Sequence, residues 1–299
     1  MIEPENRPPE HPTFAVALWF WLQLGFISFG GPAGQIAILH QELVERRRWI
    51  SERRFLHALN FCMLLPGPEA QQLAIYLGWL LHRTWGGIVA GVLFVLPSLF
   101  ILIGLSWLYI AFSEQPLVAG LFYGIKPAVT AIVLQASHRI GSRALKNNWL
   151  WGISAAAFVG IFAFNLPFPL IVIGAALIGF AGGRWAPQLF VQNPGHSISQ
   201  KDFGQALIGD HTPAPAHARF RWPRLAGLIA IGALLWLLPM SILYGLFGWD
   251  ATLTQMAWFF TKAALLTFGG AYAVLPYVYQ GAVGHYAWLT PAQMIDGLA

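Results

Sequence analysis

Residues 84–113 read TWGGIVAGVLFVLPSLFILIGLSWLYIAFS, a stretch without a single Asp, Glu, Lys or Arg. Crossing the hydrocarbon core of a bilayer takes about 20 apolar residues in helical form, and this run exceeds that. Outward from it the pattern repeats. Residues 148–183 and 225–247 are equally free of charge, 115–137 carry only Lys126, and 251–284 only Lys262. The 148–183 run can span twice, around Pro167 and Pro169. Lipid offers no hydrogen-bond partner to an open backbone, so such runs are helices or closed barrels. The period-two alternation of barrel strands is absent. The pattern predicts an all-α polytopic membrane protein.

Composition agrees. Of 299 residues 57% are hydrophobic and 10% charged, against about 25% charged in soluble domains. The net charge is +5, but the basic residues collect between apolar runs, as the positive-inside rule expects, so nucleic acid is not an expected partner. Cys62 is the single cysteine; it rules out an intrachain disulfide and a multi-thiolate metal site and reads as a small packed apolar residue. No cofactor and no metal are expected. Met1 to Thr13 is acidic and proline-rich, with no basic stretch and no small-residue cleavage site, so no signal peptide is expected.

Residues 1–12 read as a disordered lead. An apolar helical piece over 13–30 stops at Gly30-Gly31-Pro32, and an amphipathic helix over 33–48 places Ile36, Leu39 and Leu43 on one face. Two more helical pieces, 51–65 and 69–82, are separated by Pro66-Gly67-Pro68, which no continuous helix tolerates. Fuller spans follow at 84–113, 117–137, 148–165, 168–183 and 225–247. Residues 184–224 form a polar, proline-rich linker whose His196, His211 and His217 read as solvated. The expected divisions are a first repeat over 13–183, this cytoplasmic linker, a connecting span over 225–247, and the start of a second repeat over 251–299.

That second repeat is visible in identities. Trp19-Phe20 recurs as Trp258-Phe259 and Phe29-Gly30-Gly31 as Phe268-Gly269-Gly270; Gln41, Val44, Trp49 and Leu59 recur as Gln280, Val283, Trp288 and Leu298. Every pair is 239 residues apart, without a gap. Residues 40–54 hold Arg46, Arg47, Arg48, Arg53 and Arg54, whereas 279–293 hold no Lys or Arg. The positive-inside rule puts the first loop in the cytoplasm and the second across the membrane. With 13–48 and 51–82 each a re-entrant hairpin, five crossings separate the copies, an inverted-topology repeat of the kind common in secondary transporters. The counterpart of Pro66-Gly67-Pro68 falls near position 305, beyond Ala299, so the second repeat is expected to be incomplete.

Gly30-Gly31-Pro32, Pro66-Gly67-Pro68 and Gly269-Gly270 break helices at membrane depth, where a broken backbone lines a cavity or packs against protein. Freed N–H groups at half-helix N-termini suit an anion. Gln35, Gln71 and Gln72 follow the breaks as neutral donors. Lys126 lies mid-span, far from either interface, and reads as a pathway or anion-binding group; Lys262 has the same reading against snorkelling. Glu69, directly after Pro68, is either a helix-start carboxylate favoured by the dipole or a proton-coupling group. Arg46, Arg47 and Arg48, with Arg53 and Arg54, read as topology determinants or lipid-headgroup contacts, with attraction of an anionic solute the alternative. Trp49 and Trp288 read as interface anchors. No H-E-x-x-H, G-x-S-x-G, P-loop or C-x-x-C motif occurs, so an enzyme is not expected.

Long strings carry a family resemblance: Phe29-Gly30-Gly31-Pro32-Ala33-Gly34-Gln35-Ile36, Leu43-Val44-Glu45-Arg46-Arg47-Arg48-Trp49-Ile50, Leu64-Leu65-Pro66-Gly67-Pro68-Glu69-Ala70-Gln71-Gln72-Leu73, and Gly91-Val92-Leu93-Phe94-Val95-Leu96-Pro97-Ser98. Thr261-Lys262-Ala263-Ala264-Leu265 and Thr267-Phe268-Gly269-Gly270-Ala271-Tyr272-Ala273-Val274-Leu275-Pro276 extend it into the second copy. Over nearly all of 13–299 the chain resembles the chromate transporter family. The resemblance implies a multi-pass carrier of the bacterial inner membrane that exports chromate by antiport using the proton gradient, with two homologous halves of opposite orientation. Its implied partners are chromate or a related tetrahedral oxyanion, protons and the lipid bilayer. A homodimer and a complementing second half stand open as arrangements. The alternatives are a carrier of sulfate or another oxyanion and a non-transporting membrane partner.

Overall fold

The computed structural model describes residues 9–28, 31–112, 115–145, 147–164, 166–185, 203–213, 215–267 and 274–298. Gly30, Gly269, Gly270, His196 and the side chain of Lys126 lie outside the described residues. Helices α1 (Phe14–Ile27), α2 (Gly31–His40), α3 (Glu52–Leu64), α4 (Glu69–Phe112), α5 (Pro116–Ala144), α6 (Asn148–Phe162), α7 (Phe168–Trp185), α8 (Trp222–Phe247), α9 (Thr252–Leu266), α10 (Leu275–Tyr279) and α11 (Pro291–Leu298) follow in order. Extended pairing among the described residues is one parallel bridge, Ile50 with Ile208. Among those residues α4, α7 and α8 are long and apolar enough to cross a membrane, and α1 and α6 are shorter apolar helices. The chain is an all-α polytopic membrane protein. It divides into two compact units, residues 1–103 with 199–273, and 104–198 with 274–299.

In the first unit, Thr13 caps α1, and Ala17, Phe20, Trp21 and Leu24 recur at helical spacing as its buried side. At Gly25 an added Cβ would stand 2.2 Å from the carbonyl oxygen of Leu93 in α4. Pro97 has no N–H to give that oxygen, so the α1 backbone lies against a carbonyl its own helix leaves open. The α4 segment is two limbs. His82 (φ −129°, ψ 32°) and Arg83 (φ 55°, ψ −151°) leave helical geometry between them. The limbs return on each other through Gly78 against Gly86 and Ala90, and Gly91 against Ile75. The separate pieces expected at 69–82 and 84–113 are both present, and this two-residue turn joins them.

The helix predicted over 33–48 begins at Gly31 and widens after His40 into a π-helical turn, Gln41–Arg46. Arg48 then takes a left-handed φ of 51°, and the amides of Trp49 and Ile50 both donate to Leu43 O, at 2.8 and 3.4 Å. Ser51 caps α3. Residues 203–218, within the expected polar linker, dock on this corner. Ile208 N–H donates to Trp49 O (3.1 Å) and Ser51 N–H to Ile208 O (3.1 Å), and the Ile208 side chain is buried in the core with Leu43 and Phe55. His211 is exposed, as the sequence suggests. His217 instead has its Nε2 3.1 Å from Trp79 O and its ring edge-on to Trp79.

In the second unit, α6 and α7 pack at Gly160, where a Cβ would stand 3.1 Å from Ile171. Gln280 ties their turn: its Nε2 donates to Leu166 O (3.0 Å) and its Oε1 accepts from Phe168 N–H (3.1 Å). Gln280–His285 is a second π-helical turn, and Ala287 follows at φ 52°. Leu289 N–H donates to Ala282 O at 3.2 Å, and α11 begins at Pro291.

Candidate functional site at the helix breaks

Pro66 and Pro68 each lack an N–H, and a helix through them would lose bonds and clash with the preceding turn. The chain accordingly leaves helical geometry from Leu65 to Pro68. Gly67, buried, takes φ 122°, which a side chain rarely adopts. Its N–H donates to the carbonyl of Thr267 at 2.7 Å. Thr267 ends α9, is buried, and donates its hydroxyl to Ala263 O at 2.7 Å. The Pro-Gly-Pro break thus meets the end of the helix that leads into Phe268-Gly269-Gly270.

A glutamine serves each described break. Gln35 Nε2 donates to Ser28 O (3.1 Å), the carbonyl at the end of α1, across the segment that contains Gly31 (φ 75°) and Pro32. Gln72 Nε2 donates to Pro66 O (2.7 Å), and Gln71 Nε2 to Gly91 O (2.8 Å) on the other limb of α4. The sequence suggests Gln71 and Gln72 as donors to an oxyanion, but each amide already directs an N–H to a backbone carbonyl. In the first turn after Pro68, the buried side-chain atoms without a partner are acceptors: Oε1 of Glu69, Gln71 and Gln72. Glu69 is 5% exposed. A buried acceptor left unpaired costs about 1–3 kcal/mol, more when charged. Burial without a partner makes the Glu69 carboxyl better suited to hold a proton than to stand beside an anion.

Lys262 lies in α9, half-buried, with Nζ 5.7 Å from the Trp258 ring centroid, a placement that steadies a cation in apolar surroundings. Lys126 occupies α5 directly before the in-helix Pro127. Arg46 is exposed and donates to Glu42 at 2.6 Å. Arg47 lies over the rings of Phe20 (4.6 Å) and Trp49 (5.2 Å). Trp49 itself is 5% exposed. The left-handed turn at Arg48 swings it inward against Phe20. Trp288 is half-buried and stacks on Tyr286 at 4.4 Å. Among the described residues no three potential ligands gather as a metal site.

Sequence reasoning missed Ser28 and Thr267. Both end the helix before a glycine pair, both are buried, and they are 239 residues apart. A search for identities passes over them because one is serine and the other threonine. Chemical similarity at that register was the available signal.

The family model described as chromate transporter matches residues 16–180 and 254–299. A chromate transport protein of Pseudomonas aeruginosa is 34% identical over 285 residues, covering 93% of this chain and 60% of the relative. One from Cupriavidus metallidurans is 29% identical over 294 residues, covering 96% and 64%. An uncharacterized transporter of Bacillus subtilis, YwrB, is 30% identical over 172 residues, 56% of this chain and 85% of its own length. The chain spans less than two thirds of the length of the first two. No solved structure matches it.

Proposed function

The chain belongs to the chromate transporter family, and we propose that it carries chromate outward across the bacterial inner membrane in exchange for protons. The observation that carries this reading is the family match, which falls on two stretches, 16–180 and 254–299. The names of the relatives supply the substrate; the chemistry at the breaks supports the coupling. Glu69 is buried with an unpartnered oxygen at the start of α4. Protonation would turn that carboxylate into a donor and remove its charge, so Glu69 can hold and release a proton. The oxyanion takes Lys126 and Lys262 as counter-charges, together with backbone N–H groups at the helix starts that follow Gly30-Gly31-Pro32, Pro66-Gly67-Pro68 and Gly269-Gly270.

The halves are read as an inverted repeat. Local geometry at the same offset of 239 supports the repeat: π-helical turns at Gln41–Arg46 and Gln280–His285, and left-handed Arg48 and Ala287; the arginines of 40–54, unmatched in 279–293, support the inversion. Alternating access would then rock one repeat against the other around the breaks. The test is uptake of radiolabelled chromate by everted vesicles containing this chain under an imposed proton gradient. Gradient-dependent uptake that excess unlabelled sulfate does not displace is expected. Displacement by sulfate would make the substrate the wider oxyanion class, and no uptake would remove the carrier reading. Lys126→Ala should insert normally and lose uptake at least tenfold; wild-type uptake would refute its role.

A further inference from the structure

Below the docked segment 203–218 lies a cavity of about 310 Å³ in the first unit, walled by α3, the first limb of α4 and Asp210. Arg53, Arg54 and His57 line it from the opening turns of α3, and Tyr76 from α4. The N-terminus of α3 adds the positive end of its dipole to the same wall. Arg54 is engaged, donating to the Asp210 carbonyl at 3.4 Å and to the Thr212 carbonyl. Arg53 and His57 are exposed on the cavity side, with no hydrogen bond or ion pair to a described residue. Asp210 is the one carboxylate in the lining, and it accepts a 2.5 Å bond from Ser51 Oγ at the cap of α3. Three basic side chains and a helix terminus thus face a single acid, delivered by a segment from 156 residues away in sequence.

We propose that this cavity binds a polyatomic oxyanion, as a free solute or as a lipid phosphate, and that Asp210 is a tethered anion that weakens its binding. Two observations carry it together: the convergence of Arg53, Arg54 and His57 on one open cavity, and the placing of the single carboxylate of its described lining on a docked strap. Guanidinium groups match oxyanion geometry, and the Tyr76 hydroxyl supplies a further donor. Asp210 occupies the position an incoming anion would take at the cap of α3. The proposal goes beyond the carrier reading and stands on the cavity alone: sulfate binding can fail while chromate uptake persists, and the reverse.

The test uses the full chain, purified in detergent and stripped of lipid. Radiolabelled sulfate is measured by equilibrium dialysis at low ionic strength, and retention of phosphatidylglycerol against phosphatidylcholine by native mass spectrometry. The Arg53→Gln/His57→Gln double variant changes exposed side chains and should keep its thermal melt. It is expected to lose at least tenfold in sulfate affinity, which identifies a solute site. If it loses phosphatidylglycerol retention instead, the same site takes a lipid phosphate. Asp210→Asn keeps an acceptor for Ser51 and removes one charge, so it should tighten the anion by about three- to tenfold. Wild-type behaviour of the double variant toward both probes overturns the site. An unchanged or weakened affinity in Asp210→Asn overturns the tethered-anion role.

Discussion

A carboxylate at the first turn of a helix ordinarily rests in water, where the helix dipole favours it. Glu69 has that position and is nonetheless buried, with one oxygen unpartnered. Replacing it with glutamine preserves shape and removes the charge that burial disfavours. Glu69→Gln is therefore expected to fold at least as well as the wild type. If Glu69 is the proton carrier, the variant will lose proton-driven chromate uptake at least tenfold while keeping exchange of labelled for unlabelled chromate. Measuring both modes in the same vesicles separates coupling from binding. Full proton-driven uptake in the variant would leave Glu69 a structural residue. Proline, glycine and acid at 66–69 announced the break in sequence. The burial of Glu69 depends on packing that no local pattern encodes.

At the scale of elements, the apolar runs were legible because lipid demands long uninterrupted hydrophobicity, and α4, α7 and α8 follow them closely. The turn at His82 and Arg83 was legible as a boundary, since polar residues interrupt the run there. The docking of 203–218 was not: its prolines and histidines read as solvated, and Ile208 anchors it through a bridge to Ile50, far away in sequence. Nor were the π-helical turns, which depend on where Leu43 and Ala282 find donors. The close return of the two limbs of α4 rests on glycines. A Cβ on Gly86 would stand 2.2 Å from Gly78 O, whereas one on Gly104 meets nothing within 4 Å. Gly86→Ala should therefore lower stability by about 1–3 kcal/mol, and Gly104→Ala should be neutral or slightly stabilising. Thermal melting of both variants in one detergent reads the difference; equal melting would mean the limbs separate freely.

For the whole molecule, orientation is where sequence charge and local geometry pull in different directions. Gln41–Ser51 and Gln280–Thr290 share a π-helical turn, a left-handed residue and a helix start, the last at Glu52 and Pro291. Shared geometry alone would allow the same orientation for both. Charge argues otherwise, because five arginines lie in 40–54 and no Lys or Arg in 279–293, and arginine-rich loops stay in the cytoplasm. An inverted repeat accommodates both facts. Cys62 is buried and is the sole cysteine, so Cys62→Ser provides a background for single-cysteine labelling. Glu45→Cys and Gly284→Cys in that background each place a thiol beside one π-helical turn: Glu45 is exposed, with its carboxylate 3.2 Å from His40 Nδ1, and a Cβ on Gly284 meets nothing within 4 Å. A membrane-impermeant maleimide applied to intact cells should label the Gly284→Cys variant, and should reach the Glu45→Cys variant only after permeabilisation. Labelling of both from one side would place the turns in parallel, and rocking of inverted halves could not then be the way this chain alternates access.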